Sequence, residues 1–305
     1  MSNNKEFKSG FVSLIGRANV GKSTFLNHVI GKKIAITSNK PQTTRDKISG
    51  ILTDEEKQLI FVDTPGVHKP MHELDNRMQD TSFNASRGVD AIIFMTTPLK
   101  KVLHGDEIIL DNLRGTQTPV FLVINKVDQL KKMSDIDETI LLYKDLFPFA
   151  GIFPISVLED TNVDILINEI LKYIPEGPLL YPDDIISDKN ERFTVGELIR
   201  EKVLLLTEEE VPHSIAVVVD SMKQCEENPN YMDIYATIVC ERDSQKKIII
   251  GKNGERIKQI KEKSKNDIRH FLDCKVHLDL WVKVKKDWRN RPKDLNMLGY
   301  VKDNY

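Results

Sequence analysis

The chain has 305 residues, 40% of them hydrophobic and 30% charged, a balance that excludes a fibrous, disordered or membrane-embedded protein. No run approaches the roughly 20 apolar residues of a bilayer-crossing helix, and the opening Met-Ser-Asn-Asn-Lys-Glu lacks the apolar core of a signal peptide, so a cytosolic protein is expected. The net charge of −2 hides an asymmetry, because residues 240–305 carry 18 Lys and Arg against 10 Asp and Glu. A basic terminal module on an acidic body points to a polyanionic partner, nucleic acid first and an anionic membrane surface second.

In chain order, short apolar runs alternate with segments of helical period. Phe11 to Ile15, Gln58 to Val62, Asp90 to Met95, Val120 to Ile124 and Ile152 to Ile155 read as strands; Ser23 to Ile30, Glu73 to Ser86, Gly105 to Arg114, Ser134 to Leu146 and Asn162 to Tyr173 read as helices. The alternation predicts an α/β domain over residues 7–176 with a mostly parallel, doubly wound sheet. Pro175, Gly177, Pro178 and Pro182, followed by Asp183, Asp184 and Asp188, place a water-exposed linker at residues 177–190. An α+β domain is expected over residues 191–305. It contains a helix from Phe193 to Leu206, strand-like runs from Ser214 to Met222 and Tyr231 to Val239, a helix carrying Ile257, Ile260, Ile268 and Phe271, and a last strand. That strand alternates through Val276, Leu278, Leu280, Val282 and Val284, which buries one face and leaves His277, Trp281 and Lys283 on the other.

Directly after the first strand, Gly16-Arg17-Ala18-Asn19-Val20-Gly21-Lys22-Ser23 fits the phosphate-binding pattern G-x-x-x-x-G-K-[ST], with Thr24 continuing into a helix. Its glycines let backbone N–H groups turn toward phosphate oxygens, Lys22 supplies a cation for the β and γ phosphates, and Ser23 is the expected Mg2+ ligand. Asp63-Thr64-Pro65-Gly66 ends another strand, where Asp63 holds the metal through water and the Gly66 N–H meets the γ-phosphate. Thr43 or Thr44, in a loop from Lys32 to Asp46 long enough to close over the nucleotide, completes the metal shell; Thr44 is preferred. Asn125-Lys126-Val127-Asp128 follows the strand Val120 to Ile124 at the sheet edge where ligands bind, and the Asp128 carboxylate matches the adjacent N1–H and N2–H donors of guanine. Ser156 and Val157 are expected to support the base edge through backbone contacts.

This order of motifs resembles the translation-factor class of GTPases, and Gly-Arg-x-Asn-Val-Gly-Lys-Ser-Thr with Pro-Gln-Thr-Thr-Arg narrows the resemblance to Era-like proteins. The second domain is similar too: Ile248-Ile-Ile-Gly251-Lys252-Asn253-Gly254-Glu-Arg-Ile257-Lys looks like the G-x-x-G segment of a type II KH domain, which clamps a single-stranded RNA backbone. Along with Ser244-Gln-Lys-Lys and the run from Leu278 to Arg289, the resemblance spans nearly the whole chain.

It implies a GTP-hydrolysing switch using Mg2+, with Lys22, Thr44, Gly66 and Asn19 in catalysis, and Ile250, Gly251, Lys252, Asn253, Gly254, Arg256 and Lys258 on RNA. It also implies recognition of the 3′ region of 16S ribosomal RNA, a role in 30S subunit assembly, peripheral association with the inner face of the membrane, and a monomer. Related GTPases with Asn at the position of Asn19 use K+ near the phosphates. Ala18, Val157, Lys261 and Ser264-Lys265 depart from the family pattern without removing a functional group, and Lys261 is read as a further phosphate contact. Val67 stands where some GTPases place a water-orienting Gln, so slow hydrolysis is expected. The alternative is a GTP-dependent RNA clamp with little hydrolysis, or a GTPase of another RNA process whose KH module serves for docking.

His68 and His72 sit four apart in a polar stretch, a weak zinc spacing, and Trp281 and Trp288 are read first as packing residues. Cys225, Cys240 and Cys274 form no C-x-x-C pair and read as buried or inert thiols.

Overall fold

The computed structural model describes residues 7–132, 134–209 and 211–302; the opening segment read for a signal peptide and the last three residues of the expected 191–305 domain lie outside the described residues. The first domain is built on β1 (Lys8–Gly16), α1 (Lys22–Ile30), β2 (Ile48–Thr53), β3 (Lys57–Asp63), α2 (Glu73–Asn84), β4 (Ala91–Thr96), α3 (His104–Leu113), β5 (Val120–Ile124), α4 (Ser134–Tyr143), β6 (Gly151–Pro154) and α5 (Val163–Ile170). Its sheet has the order β2-β3-β1-β4-β5-β6, parallel except for β2 against β3.

Strand periodicity explains why helices cover both faces. Val12, Leu14, Ile93, Met95, Phe121 and Val123 point to one side and pack with Phe25 and Leu26 of α1 and Leu166 and Ile170 of α5. Their neighbours Ile15, Ile92, Phe94, Val120, Leu122 and Ile124 point to the other, against Ile109, Leu110 and Leu113 of α3 and Tyr143 of α4. Every one of these side chains is at most 5% exposed, so the strands read as continuous apolar runs because both faces are buried.

The edge strand β2 is absent from the strands read in the sequence. Its core, Ile48-Ser-Gly-Ile, carries a central glycine, which argues against a strand by propensity. The reason is packing: a Cβ on Gly50 would stand 2.6 Å from Leu26 Cδ1, so α1 crosses β2 where only glycine fits. Asp54 closes the hairpin to β3 by accepting from the Glu56 and Lys57 N–H groups at 2.8 and 2.9 Å.

The proline-rich stretch departs from a freely exposed linker, because it is strapped along the sheet edge. Gln58 Oε1 accepts from the Leu180 and Tyr181 N–H groups, Ile51 N–H donates to Ile186 O at 3.0 Å, and Asp188 N–H donates to Ser49 O at 3.3 Å.

The second domain follows as α6 (Glu191–Leu206), β7 (Ala216–Gln224), β8 (Tyr231–Cys240), α7 (Asp243–Ile250), α8 (Glu255–Leu272), β9 (Lys275–Val284) and α9 (Pro292–Met297). The sheet β7-β8-β9 pairs β7 antiparallel and β9 parallel to β8. Alternation in β9 is as expected, with Val276 and Leu278 buried and His277, Trp281 and Lys283 outward. Ile248 to Ile250, read only as an apolar segment, closes α7.

An apolar cluster joins the domains: Leu74 and Met78 of α2 pack with Ala216, Val239, Trp288, Leu295 and Tyr300. Trp288 is fully buried and donates its indole N–H to Ser214 O at 3.0 Å, so it is a packing residue, whereas Trp281 is 68% exposed.

Candidate nucleotide site and RNA-facing loop

β1 ends at Gly16 and α1 begins at Lys22, so residues 17–21 must reverse direction with their N–H groups inward. Asn19 (φ 64°) and Gly21 (φ 108°) adopt left-handed backbone to do so, and a Cβ on Gly21 would lie 2.2 Å from Asn125 Nδ2. Lys22 is buried and donates to the Gly16 and Arg17 carbonyls, each at 3.0 Å. Burial pushes its ammonium down to about 8, against the pull of nearby Asp63. A desolvated cation at a helix N-terminus is stabilised by an anion, and phosphate is the anion whose size and charge suit the loop.

Three oxygens converge beside it. Ser23 Oγ donates to Asp63 Oδ2 at 2.5 Å, Thr44 Oγ1 lies 2.8 Å from Ser23 Oγ, and the same Thr44 hydroxyl reaches Asp63 Oδ2 at 3.5 Å. Asp63 is fully buried, burial raises its carboxyl, and its Oδ1 has no hydrogen-bond partner among the described residues. An all-oxygen donor set with one unpaired buried carboxylate oxygen fits Mg2+, a hard cation. Thr43 faces away: its hydroxyl donates to Lys40 O at 2.6 Å and lies 2.6 Å from Ser38 Oγ. Of the two threonines, Thr44 therefore lies with Ser23 and Asp63, and Thr43 does not.

Thr64 donates to Leu14 O at 2.7 Å and holds the turn through Pro65 to Gly66, whose backbone lies against Ala18 so closely that a Cβ would stand 2.5 Å from Ala18 Cα. Val67 is 3% exposed and packs with Ile15, Ile92 and Ile109, turned from the cleft. Arg17 sends its guanidinium away too, donating to Asp106 at 2.9 Å, so only its backbone faces the loop.

At the base end, Asn125 donates to Val20 O at 2.9 Å and accepts from Val157 N–H at 3.2 Å, pinning the phosphate loop to the sheet edge. Lys126 donates to Asn19 O at 2.7 Å. Ser156 Oγ donates to Asp128 Oδ1 at 2.6 Å, while its own N–H is taken by Thr161 O at 3.2 Å. The Ser156 side chain thus holds the Asp128 carboxylate in place.

The cleft also takes Gln42, part of the Pro-Gln-Thr-Thr-Arg motif, and Ile36, Thr37, Ser38 and Asn39, for which the length of the Lys32 to Asp46 loop is the only sequence signal. That loop is bonded to the second domain. Thr37 N–H donates to Glu201 Oε1 at 3.1 Å, Arg200 donates to Thr43 O, and Arg45 reaches the carbonyls of Ile215 (2.5 Å), His213 (3.1 Å) and Pro212 (3.3 Å). From the other side of the cleft, Gln42 donates to Asp75 at 2.8 Å and lies 3.1 Å from His68 Nε2, and Arg77 donates to Tyr300 O at 2.5 Å. His68 and His72 do not converge, since His72 faces Asn290 at 3.3 Å.

In the second domain the G-x-x-G loop requires its glycines: Gly251 and Gly254 both have φ 75°, and a Cβ on Gly251 would lie 2.7 Å from Arg256 Cβ. Lys252, Asn253 and Lys258 are exposed and Ile250 is half-buried. Arg256 donates back to Ile248 O at 2.8 Å, bracing the loop, and Lys261 donates to Asp279 at 2.8 Å on the surface.

A phosphate loop, an oxygen-lined metal position and a guanine-matched carboxylate on a doubly wound sheet, joined to a helix-strand-strand-helix-helix-strand module with a G-x-x-G loop, define a P-loop GTPase carrying a type II KH domain. The sequence profile described as "50S ribosome-binding GTPase" matches residues 11–126, and that described as "KH domain" matches residues 210–289. A variant of Aquifex aeolicus Era bound to GDP and AlF4− is similar to the chain at 39% identity, over 97% of this chain and 100% of that one, with a TM-score of 0.91. Era in complex with MgGDPNP and nucleotides 1506–1542 of 16S ribosomal RNA is 38% identical over 97% and 99% of the two chains, also with a TM-score of 0.91. The chain belongs to the Era family of GTPases.

Proposed function

We propose that this protein hydrolyses GTP and uses the state of the nucleotide site to bind and release the 3′ region of 16S ribosomal RNA during assembly of the 30S subunit. The observation that carries this reading is the bonding of the cleft's roof to the RNA module through Thr37, Thr43 and Arg45. Likeness to Era holding MgGDPNP and a 16S segment supports it. Lys22 and the N–H groups of residues 17–24 hold the phosphates, Ser23, Thr44 and Asp63 hold Mg2+, and Gly66 meets the γ-phosphate. Asn125, Lys126, Asp128, Ser156 and Val157 form the base side. Magnesium held there would offset the negative charge of the phosphates. With Val67 in the core, no side chain at that position orients the attacking water, so intrinsic hydrolysis is slow.

In this reading Asn19, whose amide donates to Asn39 O at 2.8 Å, turns its side-chain carbonyl to K+ near the phosphates. Hydrolysis should then run faster in K+ than in Na+, and equal rates would remove the ion from the scheme. The Ile250 to Gly254 loop, Arg256 and Lys258 clamp the RNA backbone. No helix among the described residues is long and apolar enough to cross a membrane; peripheral attachment through the basic module, from a cytoplasmic monomer, belongs to the same proposal. Sequencing RNA crosslinked to the protein in cells tests the whole: enrichment at the 3′ end of 16S RNA is expected, and enrichment of unrelated RNA would overturn it.

A further inference from the structure

Away from both sites, Cys225, Asp233 and His277 gather at one end of the second domain's sheet, their ligand atoms within 4.8 Å of one another. Backbone pairing creates the cluster. Asp233 on β8 and His277 on β9 are register partners, so their side chains leave the same outer face, and His277 Nδ1 lies 2.9 Å from Asp233 Oδ1. Cys225 follows the last residue of β7, and its N–H donates to Tyr231 O at 2.8 Å, which folds residues 225–231 back and fixes the thiol above the pair. The imidazole is stacked on Tyr231, ring centroids 4.4 Å apart, and Lys275 covers that ring at 5.5 Å. Exposed Glu226 and Glu227 add negative charge beside the thiol.

We propose that these three side chains form a binding site for a divalent transition metal of the Zn2+ class. One thiolate, one imidazole and one carboxylate suit a borderline-soft ion, whereas Mg2+ and Ca2+ select oxygen donors of the kind gathered by Ser23, Thr44 and Asp63. Zinc bonds of about 2.0–2.3 Å set tetrahedral edges of roughly 3.5 Å, so the present spread, within 4.8 Å, tightens by about 1 Å on binding. The His277 side chain is 58% exposed, which leaves the fourth position to water and makes the site exchangeable. Binding forms a sulfur–zinc bond and releases the thiol proton to solvent. The loop 225–231 and β9 would then be cross-braced at the end of α8 opposite the G-x-x-G loop.

The test uses the full chain with Mg2+ and GTP present, titrated with Co2+ and then Zn2+. One equivalent of Co2+ should give a thiolate-to-metal charge-transfer band that Zn2+ abolishes. Zn2+ should slow alkylation of Cys225 in the native protein while leaving Cys274 unchanged. Cys225→Ser and His277→Ala should each weaken Zn2+ binding at least tenfold, with GTP binding retained as the check on folding. Absence of both the band and the protection, or undiminished affinity in the two variants, would overturn the proposal.

Discussion

Asp128 is oriented by one hydrogen bond from Ser156, and this makes its role separable from mere presence. Asp128→Asn replaces one guanine-facing acceptor with a donor. Loss of a charged hydrogen bond of about 1.5–3 kcal/mol should weaken GTP roughly 10- to 100-fold, while xanthine nucleotide, with an acceptor-matched edge, gains. Fluorescent-nucleotide titration decides it, and an unchanged preference for GTP would remove Asp128 from base reading. Ser156→Ala should cost less, about tenfold, because the carboxylate remains but loses its guide. Asp75 illustrates a second kind of residue. Burial alone would raise its carboxyl, but His68 and the N–H groups of Met71 and His72 bring it down to about 2. Since that lies below the ordinary value of 3.8, the unfolded chain binds more protons in between, so the stabilisation is full above about pH 4 and is lost as pH falls toward 2. The stability gap between native protein and Asp75→Asn should narrow by about 2 kcal/mol over that window in denaturant titrations. On the alkaline side, Asp75 raises the imidazole of His68, and that part of the pairing is full below the ordinary 6.5 and fades as pH rises through the raised value.

At the scale of elements, the G-x-x-G loop offers the sharpest separation of activities. Lys252 and Asn253 are exposed at the tip and contribute to no core, so Lys252→Asp with Asn253→Asp should leave the fold and nucleotide binding intact. Two carboxylates facing phosphates should lower RNA affinity by more than 100-fold at low salt and flatten its salt dependence. Retained RNA affinity at fixed salt would move the interface elsewhere on the basic domain. Motif-bearing turns are legible in the sequence because strand-to-helix reversals and left-handed positions admit few residue types: Gly16, Gly21, Gly251 and Gly254 announce themselves. Strand β2 did not, because Gly50 answers to the side chains of α1, a contact distant in sequence. Similarly, Asp128 could be read as a guanine acceptor but not as a partner of the Ser156 hydroxyl, since that bond depends on how two strand ends are spaced. The strap's anchors are illegible for a related reason: prolines stop helices, but nothing local tells that Gln58 will take the backbone N–H groups of Leu180 and Tyr181.

For the whole molecule, the joined loops turn two binding sites into one system. If GTP raises RNA affinity by some factor, RNA raises GTP affinity by the same factor, typically 5- to 150-fold, or about 1 to 3 kcal/mol. RNA affinity measured with a non-hydrolysable GTP analogue, with GDP and without nucleotide should differ accordingly. Arg45→Met removes the guanidinium that lies over the Trp288 and Tyr300 rings and bonds to Ile215, Pro212 and His213, so the three affinities should converge. Equal affinities in the native protein would instead make the domains independent. The strap sets what form such a coupling can take. Its last anchor is Asp188 on Ser49, and α6 starts at Glu191, so only Lys189 and Asn190 stand between two bodies. Three peptide spans reach about 10 Å, too short for the RNA module to drift off on a tether. It is hung like a door. Because Arg200 and Glu201 stand about 14–15 Å along α6 from that pivot, a turn of about 10° carries them through about 2.5 Å, enough to part the hydrogen bonds that tie them to the roof of the cleft while the hinge side scarcely moves.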